Sequence, residues 1–226
     1  MIVALNNKSN LEKQEFINYL SEIENIHTSS TLILCPTFLN IPLANSNKVL
    51  LGSQNVSSYD NGAFTGEISG KQLKSYNVKY SIVGHSERRE YQRESNEEIK
   101  EKINKLLEED ITPILCIGET LEERQNGKYK EVIEKELSIL NGISKEVIIA
   151  YEPIWSIGTG IIPTKEEIIE VFNYIKSLFP YKVLYGGSAN EENIDMLKEI
   201  SLIDGYLLGG LSLKPDKLQV FLNKIN

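Results

Sequence analysis

Eight short apolar runs, each rich in residues that favour β-strands, recur at fairly even spacing along this 226-residue chain. Their apolar residues are nearly continuous and do not alternate with polar ones. That pattern is typical of parallel strands that are buried on both faces. We therefore expect a parallel sheet whose strands are covered on the outside and packed within. The predicted strands span residues 2–5, 31–35, 49–52, 80–83, 113–117, 147–151, 182–185 and 205–208.

Amphipathic helical patterns lie between most of these runs. Thr164 precedes Glu167 by three residues, which is the spacing of a capping box at a helix start. Asn190 and Asp216 stand at positions where N-cap residues are expected. The predicted helices span residues 11–23, 96–109, 121–140, 165–178, 191–200 and 216–225.

Eight strands that alternate with helices predict an α/β protein, a (β/α)8 barrel formed as one domain by residues 1–226. The alternative is an open, doubly wound sheet, which usually carries a Gly-x-Gly-x-x-Gly turn or a Gly-Lys-Ser/Thr turn. Neither motif occurs here. Pro36 and Pro42 leave room for only a shortened helix after the second strand.

Charge and composition narrow the range of partners. The chain has 24 Lys and Arg against 32 Asp and Glu, a net charge of −8, which argues against nucleic-acid binding. No apolar run reaches the roughly 18 residues of a membrane span, and no targeting segment is recognised. Cys35 and Cys116 are far apart, and His27 and His85 are the only histidines, so no metal cluster is expected. We expect a reduced, cytoplasmic protein without metal.

Polar residues and glycines collect where the predicted strands end, which is where catalytic groups lie in such a barrel. Singly, each has an ordinary structural interpretation, since a lone histidine is more often structural and paired glycines often mark tight turns. Glycines in strand-to-helix turns also allow backbone N–H groups to approach a phosphate. The spacing predicts a barrel with an anion site and leaves the individual roles open. The candidates are Asn6, Lys8, Asn55, His85, Ser86, Glu87, Glu119, Glu152, Gly158, Gly160, Gly186, Gly187, Ser188, Gly209 and Gly210.

Several of these strand ends resemble motifs of the triosephosphate isomerase family. Residues 83–89, Val-Gly-His-Ser-Glu-Arg-Arg, are similar to the segment that ends that family's fourth strand. Residues 151–160 are similar to its catalytic glutamate and mobile lid, and residues 116–119, 185–188 and 209–210 follow in the same order and spacing. The resemblance covers essentially the whole chain. It implies a TIM barrel that interconverts dihydroxyacetone phosphate and D-glyceraldehyde 3-phosphate without a cofactor.

The same resemblance implies a role for each matching residue. Glu152 would be the base that moves a proton between adjacent carbons through an enediolate. His85 would act as a neutral imidazole on the enediolate oxygens, and Asn6 and Lys8 would stabilise the developing oxyanion. The supporting residues are Ser86 and Glu87 (the latter to orient Lys8 or Ser86), and the phosphate-binding residues are Gly158, Ser188, Gly209 and Gly210.

Residues 54–67 resemble the family's long loop 3, which projects into a second subunit. Phe64 and Thr65 lie at its tip, where a monomer would leave them exposed, and Glu67 is expected to pair with Arg88. Isologous dimers are the commonest symmetric assembly. We therefore expect a homodimer through loop 3.

The chain departs from the family pattern at two positions. Asn7 stands where the family usually has Trp, so we expect altered packing under this turn and little loss of activity. Pro163 stands in the far hinge of the lid, where Ala is common. Because proline has no backbone N–H, the closed-lid hydrogen bond that this position would donate to the Tyr185 hydroxyl cannot form.

Two other functions are open to a barrel with an anion site. An aldolase that acts on triose phosphates through a Schiff base needs a buried lysine near the carboxyl end of a strand. Lys182 lies at the start of the seventh strand and Lys8 lies in a loop, so neither suits this role. An inactive barrel that only binds phosphate is disfavoured by the joint presence of the four residues with implied catalytic roles.

Overall fold

The computed structural model describes residues 1–157 and 161–226, and within this part of the chain eight parallel strands close into a barrel. Each strand pairs with the next along the chain, and the last pairs with the first. The predicted α/β TIM barrel is confirmed. The strands are β1 (Ile2–Asn6), β2 (Thr31–Cys35), β3 (Val49–Ser53), β4 (Tyr80–Val83), β5 (Thr112–Ile117), β6 (Ile148–Tyr151), β7 (Lys182–Tyr185) and β8 (Gly205–Leu208).

Apolar side chains fill the space on both sides of the strand layer. The barrel interior holds small and branched residues such as Ala4, Ile33 and Leu207. A larger cluster, which includes Phe16 and Ile99, lies between the strands and the surrounding helices. Burial of both strand faces explains why the strands read as continuous apolar runs.

Barrel closure requires a glycine at the seam between β8 and β1. Gly205 pairs with Ile2, and a Cβ atom at position 205 would lie 2.0 Å from the carbonyl oxygen of Ile2. Real Cβ atoms do not approach a backbone oxygen so closely. A side chain at this position would therefore push the first and last strands apart.

The helices form an outer layer, and none of those described is long and apolar enough to cross a membrane. The capping box predicted at Thr164 is confirmed, because its hydroxyl accepts the N–H of Glu167, whose carboxylate accepts the N–H of Thr164. The helices are α1 (Lys13–Ile23), α2 (Gly70–Ser75), α3 (Ser86–Tyr91), α4 (Asn96–Glu108), α5 (Leu121–Gln125), α6 (Tyr129–Leu137), α7 (Lys165–Leu178), α8 (Ile194–Leu197) and α9 (Pro215–Ile225).

The prediction of one helix over residues 121–140 is wrong. α5 ends before Gly127, whose φ of +70° is incompatible with a right-handed helix. The chain then starts again as α6 and finishes in a 3-10 turn, Ser138–Leu140. The amphipathic pattern marks the buried face correctly, but it does not register the break.

Two other helix starts differ from the prediction. Within residues 191–200 only α8 is helical, because Asn190 accepts backbone N–H groups in a turn that precedes the helix. Asp216 is not an N-cap, since it lies in the first turn of α9 after Pro215, which occupies the first helical position.

The helix between β2 and β3 is reduced to a 3-10 helix, Phe38–Leu43, which contains Pro42. The predicted shortening is thus confirmed. As a result the outer face near these strands is poorly covered, and Leu39 and Leu50 are 87% and 41% exposed.

Candidate active site

The carboxyl ends of the strands surround a cavity of about 330 Å³. Asn6 at the end of β1, His85 after β4 and Glu152 after β6 all reach this cavity, together with Lys8 from the loop after β1. All strands of a parallel barrel end at the same rim, so residues far apart in sequence become neighbours there. The four side chains with implied catalytic roles share one cavity.

Glu152 and His85 form a buried pair. Nε2 of His85 lies 3.1 Å from Oε1 of Glu152, and the two side chains are 6% and 3% exposed, respectively. The other carboxylate oxygen accepts the backbone N–H of Ser86 at 3.3 Å. The backbone N–H of Glu87 donates to Nδ1 of His85 at 3.2 Å. The proton of a neutral imidazole is therefore on Nε2, where it faces Glu152.

Burial and charge act in opposite directions on this pair. Burial raises the pKa of Glu152. The neighbouring His85 and the Ser86 N–H lower it by more than burial raises it, so the pKa lies below its ordinary value. Burial lowers the pKa of His85, and the Glu152 carboxylate more than offsets this, so the net direction is upward. The bond accepted at Nδ1 opposes protonation, because an imidazolium has no nitrogen left to accept it. Because the pKa of Glu152 is lowered, its carboxyl group is an anion at neutral pH.

Asn6, at the end of β1, and Lys8, in the loop that follows, are held in place by each other and by neighbouring strands. Lys8 has a φ of 52°, and its backbone N–H donates to Oδ1 of Asn6 at 3.0 Å. The Gln54 amide donates to the carbonyl oxygens of Lys8 and Cys35, at 2.8 and 2.9 Å. The Lys8 ammonium forms an ion pair with Glu87. Lys8 and Ser86 were the two partners expected for Glu87, and the Glu87 carboxylate contacts Lys8.

Backbone turns form the wall of the cavity next to Lys8. The Ser188 hydroxyl donates to the carbonyl oxygen of Ser156, so this side chain is engaged with the segment that follows Glu152. The glycines leave the turns without side chains that would fill the cavity, as expected of an anion site. The turn residues that line the cavity are Gly186, Gly187, Ser188, Gly209 and Gly210.

The similarity of this chain to known proteins extends over almost its whole length. A family model described as triosephosphate isomerase matches residues 1–225. The chain belongs to the triosephosphate isomerase family. The resemblance inferred from the strand-end motifs is therefore confirmed.

Curated relatives of this chain agree with the family assignment. A triosephosphate isomerase of Alkaliphilus metalliredigens (strain QYMF) is 40% identical over 246 aligned positions, which cover 100% of this chain and 98% of the relative. A triosephosphate isomerase of Francisella tularensis subsp. mediasiatica (strain FSC147) is 42% identical over 193 aligned positions, which cover 79% of this chain and 76% of the relative. A triosephosphate isomerase of Francisella philomiragia subsp. philomiragia is 40% identical over 190 aligned positions, which cover 78% of this chain and 75% of the relative.

Four of the described strand-end candidates do not line the cavity that holds Glu152, namely Asn55, Ser86, Glu87 and Glu119. Ser86 and Glu87 contact Glu152 and Lys8, which do line it, whereas Glu119 and Asn55 have other partners. Glu119 is fully buried, and its carboxylate accepts the Tyr151 hydroxyl at 3.0 Å and the Trp155 indole N–H at 3.1 Å. It therefore ties the end of β6 to the segment after it. Asn55 accepts a hydrogen bond from the buried ammonium of Lys102 at 3.2 Å.

Sequence reasoning missed the polar contacts beneath the β1 loop. The Asn7 amide donates to the hydroxyls of Tyr19 and Ser212, at 3.4 and 3.3 Å, and the Ser212 hydroxyl donates to the Asn6 carbonyl at 3.1 Å. Asn7, which replaces the family's usual Trp, thus supports Asn6 by hydrogen bonds. No local signal marks Ser212, because it lies 206 positions from its partner.

The lid falls partly outside the described residues. Gly158, the predicted phosphate contact in the lid, and Gly160 both lie there. Pro163 is buried in the far hinge. The Tyr185 hydroxyl is buried, and no backbone N–H among the described residues donates to it.

The predicted dimer loop lies on the surface of the single chain. Phe64 is 41% exposed and stacks on Tyr59 with ring centroids 4.2 Å apart. Thr65 and Glu67 are exposed. Arg88 forms its ion pair with Glu94, and among the described residues none joins Arg88 to Glu67. The pairing of Glu67 with Arg88 stays a prediction.

Proposed function

We propose that this chain interconverts dihydroxyacetone phosphate and D-glyceraldehyde 3-phosphate by proton transfer through an enediolate. The buried contact between Glu152 and His85, on a cavity that Lys8 also lines, carries the proposal. Both substrates have a proton next to a carbonyl group, so one base can remove it and return it to the adjacent carbon. The reaction moves protons only and needs no cofactor.

Glu152 acts as the base. Its lowered pKa keeps it ionised at neutral pH, and its burial removes the water that would otherwise solvate it. Substrate enters between Glu152 and His85, so that the carboxylate faces the carbon and the imidazole faces the oxygens. Triosephosphate isomerases are themselves the reference case for such a pair of glutamate base and neutral histidine.

His85, Asn6 and Lys8 stabilise the negative charge that develops on oxygen. The Nε2–H of His85 points into the site, because Nδ1 is occupied by the N–H of Glu87. The Lys8 ammonium supplies the positive charge that a chain of net charge −8 needs to attract an anionic substrate. Groups that are already oriented in this way act on the transition state without further reorganisation.

The phosphate binds at the backbone turns of the cavity, where Gly209 lies against the Lys8 side chain. Backbone N–H groups at such turns donate hydrogen bonds to an anion and so bind it without a full counter-charge. The residues assigned to this role are Ser188, Gly209 and Gly210, with Gly158 from the lid.

Substitution of Glu152 by aspartate tests the proposal. The shorter side chain withdraws the carboxylate from the substrate carbon, and we expect kcat to fall at least about tenfold with KM little changed. A coupled assay of isomerisation measures both constants. An aspartate variant that turns over at the wild-type rate would remove Glu152 from the role of base.

Borohydride trapping separates this reaction from a lysine-dependent aldolase. Lys182 lies at the opposite end of β7 from the cavity and pairs with Glu146 at 3.2 Å, and Lys8 is paired with Glu87. We expect no substrate adduct after reduction. A trapped adduct at Lys8 together with aldol cleavage would refute the isomerase mechanism.

We further propose that the chain works as a cytoplasmic homodimer in which loop 3 of each subunit covers the active site of the other. A second open cavity, lined by Thr37, Gln54 and Tyr91, adjoins Lys8 and could receive such a loop. Phe64 and Tyr59 offer an exposed aromatic surface for burial there. The free thiols of Cys35 and Cys116 suit a reducing compartment.

Sedimentation of Thr65→Arg tests the dimer, with Val220→Arg on the exposed face of α9 as a matched control. We expect Thr65→Arg to dissociate the dimer and lower activity, and Val220→Arg to do neither. Full activity of a wild-type monomer at assay concentration would contradict the dimer.

A further inference from the structure

A largely buried ion pair lies behind the proposed acid–base pair. Glu136, in the last turn of α6, places Oε1 at 3.4 Å from Nη1 of Arg89 in α3. The two side chains are only 12% and 17% exposed. Neither lines the substrate cavity. The mechanism proposed above gives this pair no role.

Arg89 holds the end of the strand that carries His85. Its Nε donates to the carbonyl oxygen of Gly84 at 2.8 Å, and Gly84 immediately precedes His85. Its Nη2 donates to the Cys116 carbonyl at 3.4 Å, and its Nη1 donates to Oδ1 of Asn96 at 2.7 Å. One guanidinium thus joins β4, β5 and the start of α4.

Glu136 holds the backbone on which Glu152 rests. Its Oε2 accepts the N–H of Gly118, directly after β5, at 2.9 Å. Gly118 is in tight contact with Glu152, because a Cβ atom on Gly118 would lie 1.7 Å from the Glu152 carbonyl oxygen. The Glu152 N–H also donates to the carbonyl of Ile117 at 2.7 Å. A movement of Gly118 would therefore displace Glu152.

We propose that Glu136 is a positioning residue that, paired with Arg89, sets the separation of Glu152 and His85 and makes turnover depend on its own charge. The inference rests on the isomerase function proposed above. Arg89 controls the His85 side and Glu136 the Glu152 side, so the ion pair links the two strand ends. Charge-assisted hydrogen bonds are stronger than neutral ones, so the ionised carboxylate holds Gly118 and Arg89 more firmly than a neutral group does.

The surroundings of Glu136 place its ionisation close to neutral pH. Burial raises its pKa to about 7, against the opposite effects of Arg89 and the Gly118 N–H. The negative charges of Glu123 on α5 and Glu152 after β6 raise it further. The Cys116 thiol on β5 interacts electrostatically with Glu136 and is neutral, because burial raises its pKa well above the ordinary value.

Three variants separate charge, hydrogen bond and helix composition. Glu136→Gln keeps an oxygen that can accept the Gly118 N–H and removes the charge. Glu136→Leu removes both. Glu131→Gln, at an exposed position of the same helix, removes one charge without touching the pair and serves as the control. kcat and KM of the full chain are measured from about pH 5.5 to about pH 8.5, across the ionisation of Glu136.

We expect Glu136→Leu to lower kcat about tenfold with KM within about twofold, because small displacements of reacting groups cost rate more than binding. The ratio of wild-type kcat to Glu136→Gln kcat should be near one at low pH and rise about threefold as pH passes 7. Ionisations shared by both proteins cancel in this ratio. The ratio of wild-type kcat to Glu131→Gln kcat should not change with pH.

A ratio for Glu136→Gln that does not change with pH overturns the inference, and so does a folded Glu136→Leu variant with wild-type kcat. If Glu136→Leu does not fold, the pH dependence of Glu136→Gln decides alone. Wild-type protein that does not isomerise triose phosphates refutes the proposed function and this inference together. Normal wild-type turnover with a flat ratio refutes the inference only.

Discussion

Replacement of Glu136 by glutamine should make the protein more stable at neutral pH, even where it slows catalysis. The pKa of Glu136 is about 7 in the folded chain, against an ordinary value of 4.5. The folded state therefore holds the proton more tightly than the unfolded state does. The stabilisation from this group is complete below about pH 4.5 and is lost as pH rises through about 7.

The size of the effect follows from the same two values. A difference of about 2.5 pH units, at about 1.4 kcal/mol per unit, corresponds to about 3 kcal/mol. Glutamine does not titrate, so Glu136→Gln should gain about 3 kcal/mol on wild type between about pH 4.5 and about pH 8. The gain reflects the cost of burying the ionised carboxylate, which the Arg89 guanidinium only partly offsets.

Urea unfolding at a series of pH values measures this difference, with Glu131→Gln as the control for loss of a charge on α6. The protein concentration is held constant, because the apparent stability of a dimer depends on it. Equal m values for the proteins compared would show that only stability has changed. Parallel stability curves for wild type and Glu136→Gln would refute the reasoning, since they would mean that Glu136 titrates alike in both states.

Two other substitutions test the site and the barrel. Lys8→Met should lower kcat by about 10²–10³-fold in the coupled assay, because an oriented charge on the oxyanion is lost, whereas Lys71→Met at an exposed position should not. An active Lys8→Met enzyme would exclude this role. Gly205→Ala should lower the free energy of unfolding in urea by about 3 kcal/mol, because the new Cβ atom would meet the Ile2 carbonyl. Gly62→Ala should lower it little, because the atom nearest to a Cβ at that position is 3.5 Å away. Equal losses would contradict the argument from the seam.

The strands were predictable because each is a local pattern. All eight apolar runs became strands, with ends that differ by one residue or less from the prediction. The helix pattern was less informative about ends, as the break at Gly127 shows. A change of backbone direction at one glycine leaves the periodicity on either side almost unaltered. The shortened segment after β2 was predictable, because prolines act on their own neighbours.

The candidate site was predictable to the extent that its residues adjoin strand ends. Asn6, His85 and Glu152 each stand directly at or after an apolar run, and the barrel brings all strand ends to one rim. The support of Asn6 by Ser212 was not predictable, since the two are 206 positions apart and meet only when the barrel closes. The ion pair of Arg88 with Glu94 was not predictable either, and the pairing expected with Glu67 stays a prediction.

Hydrophobic periodicity and turn residues are properties of neighbouring amino acids, and they were enough to specify a closed barrel and the rim at which its polar groups meet. The environment of a charged group is a property of whatever packs against it. Glu131 and Glu136 are the same amino acid on one helix, yet the first is exposed and the second lies against Arg89 and Gly118 with its pKa raised to about 7. That difference arises from burial and from partners on other elements, which exist only once the chain has folded.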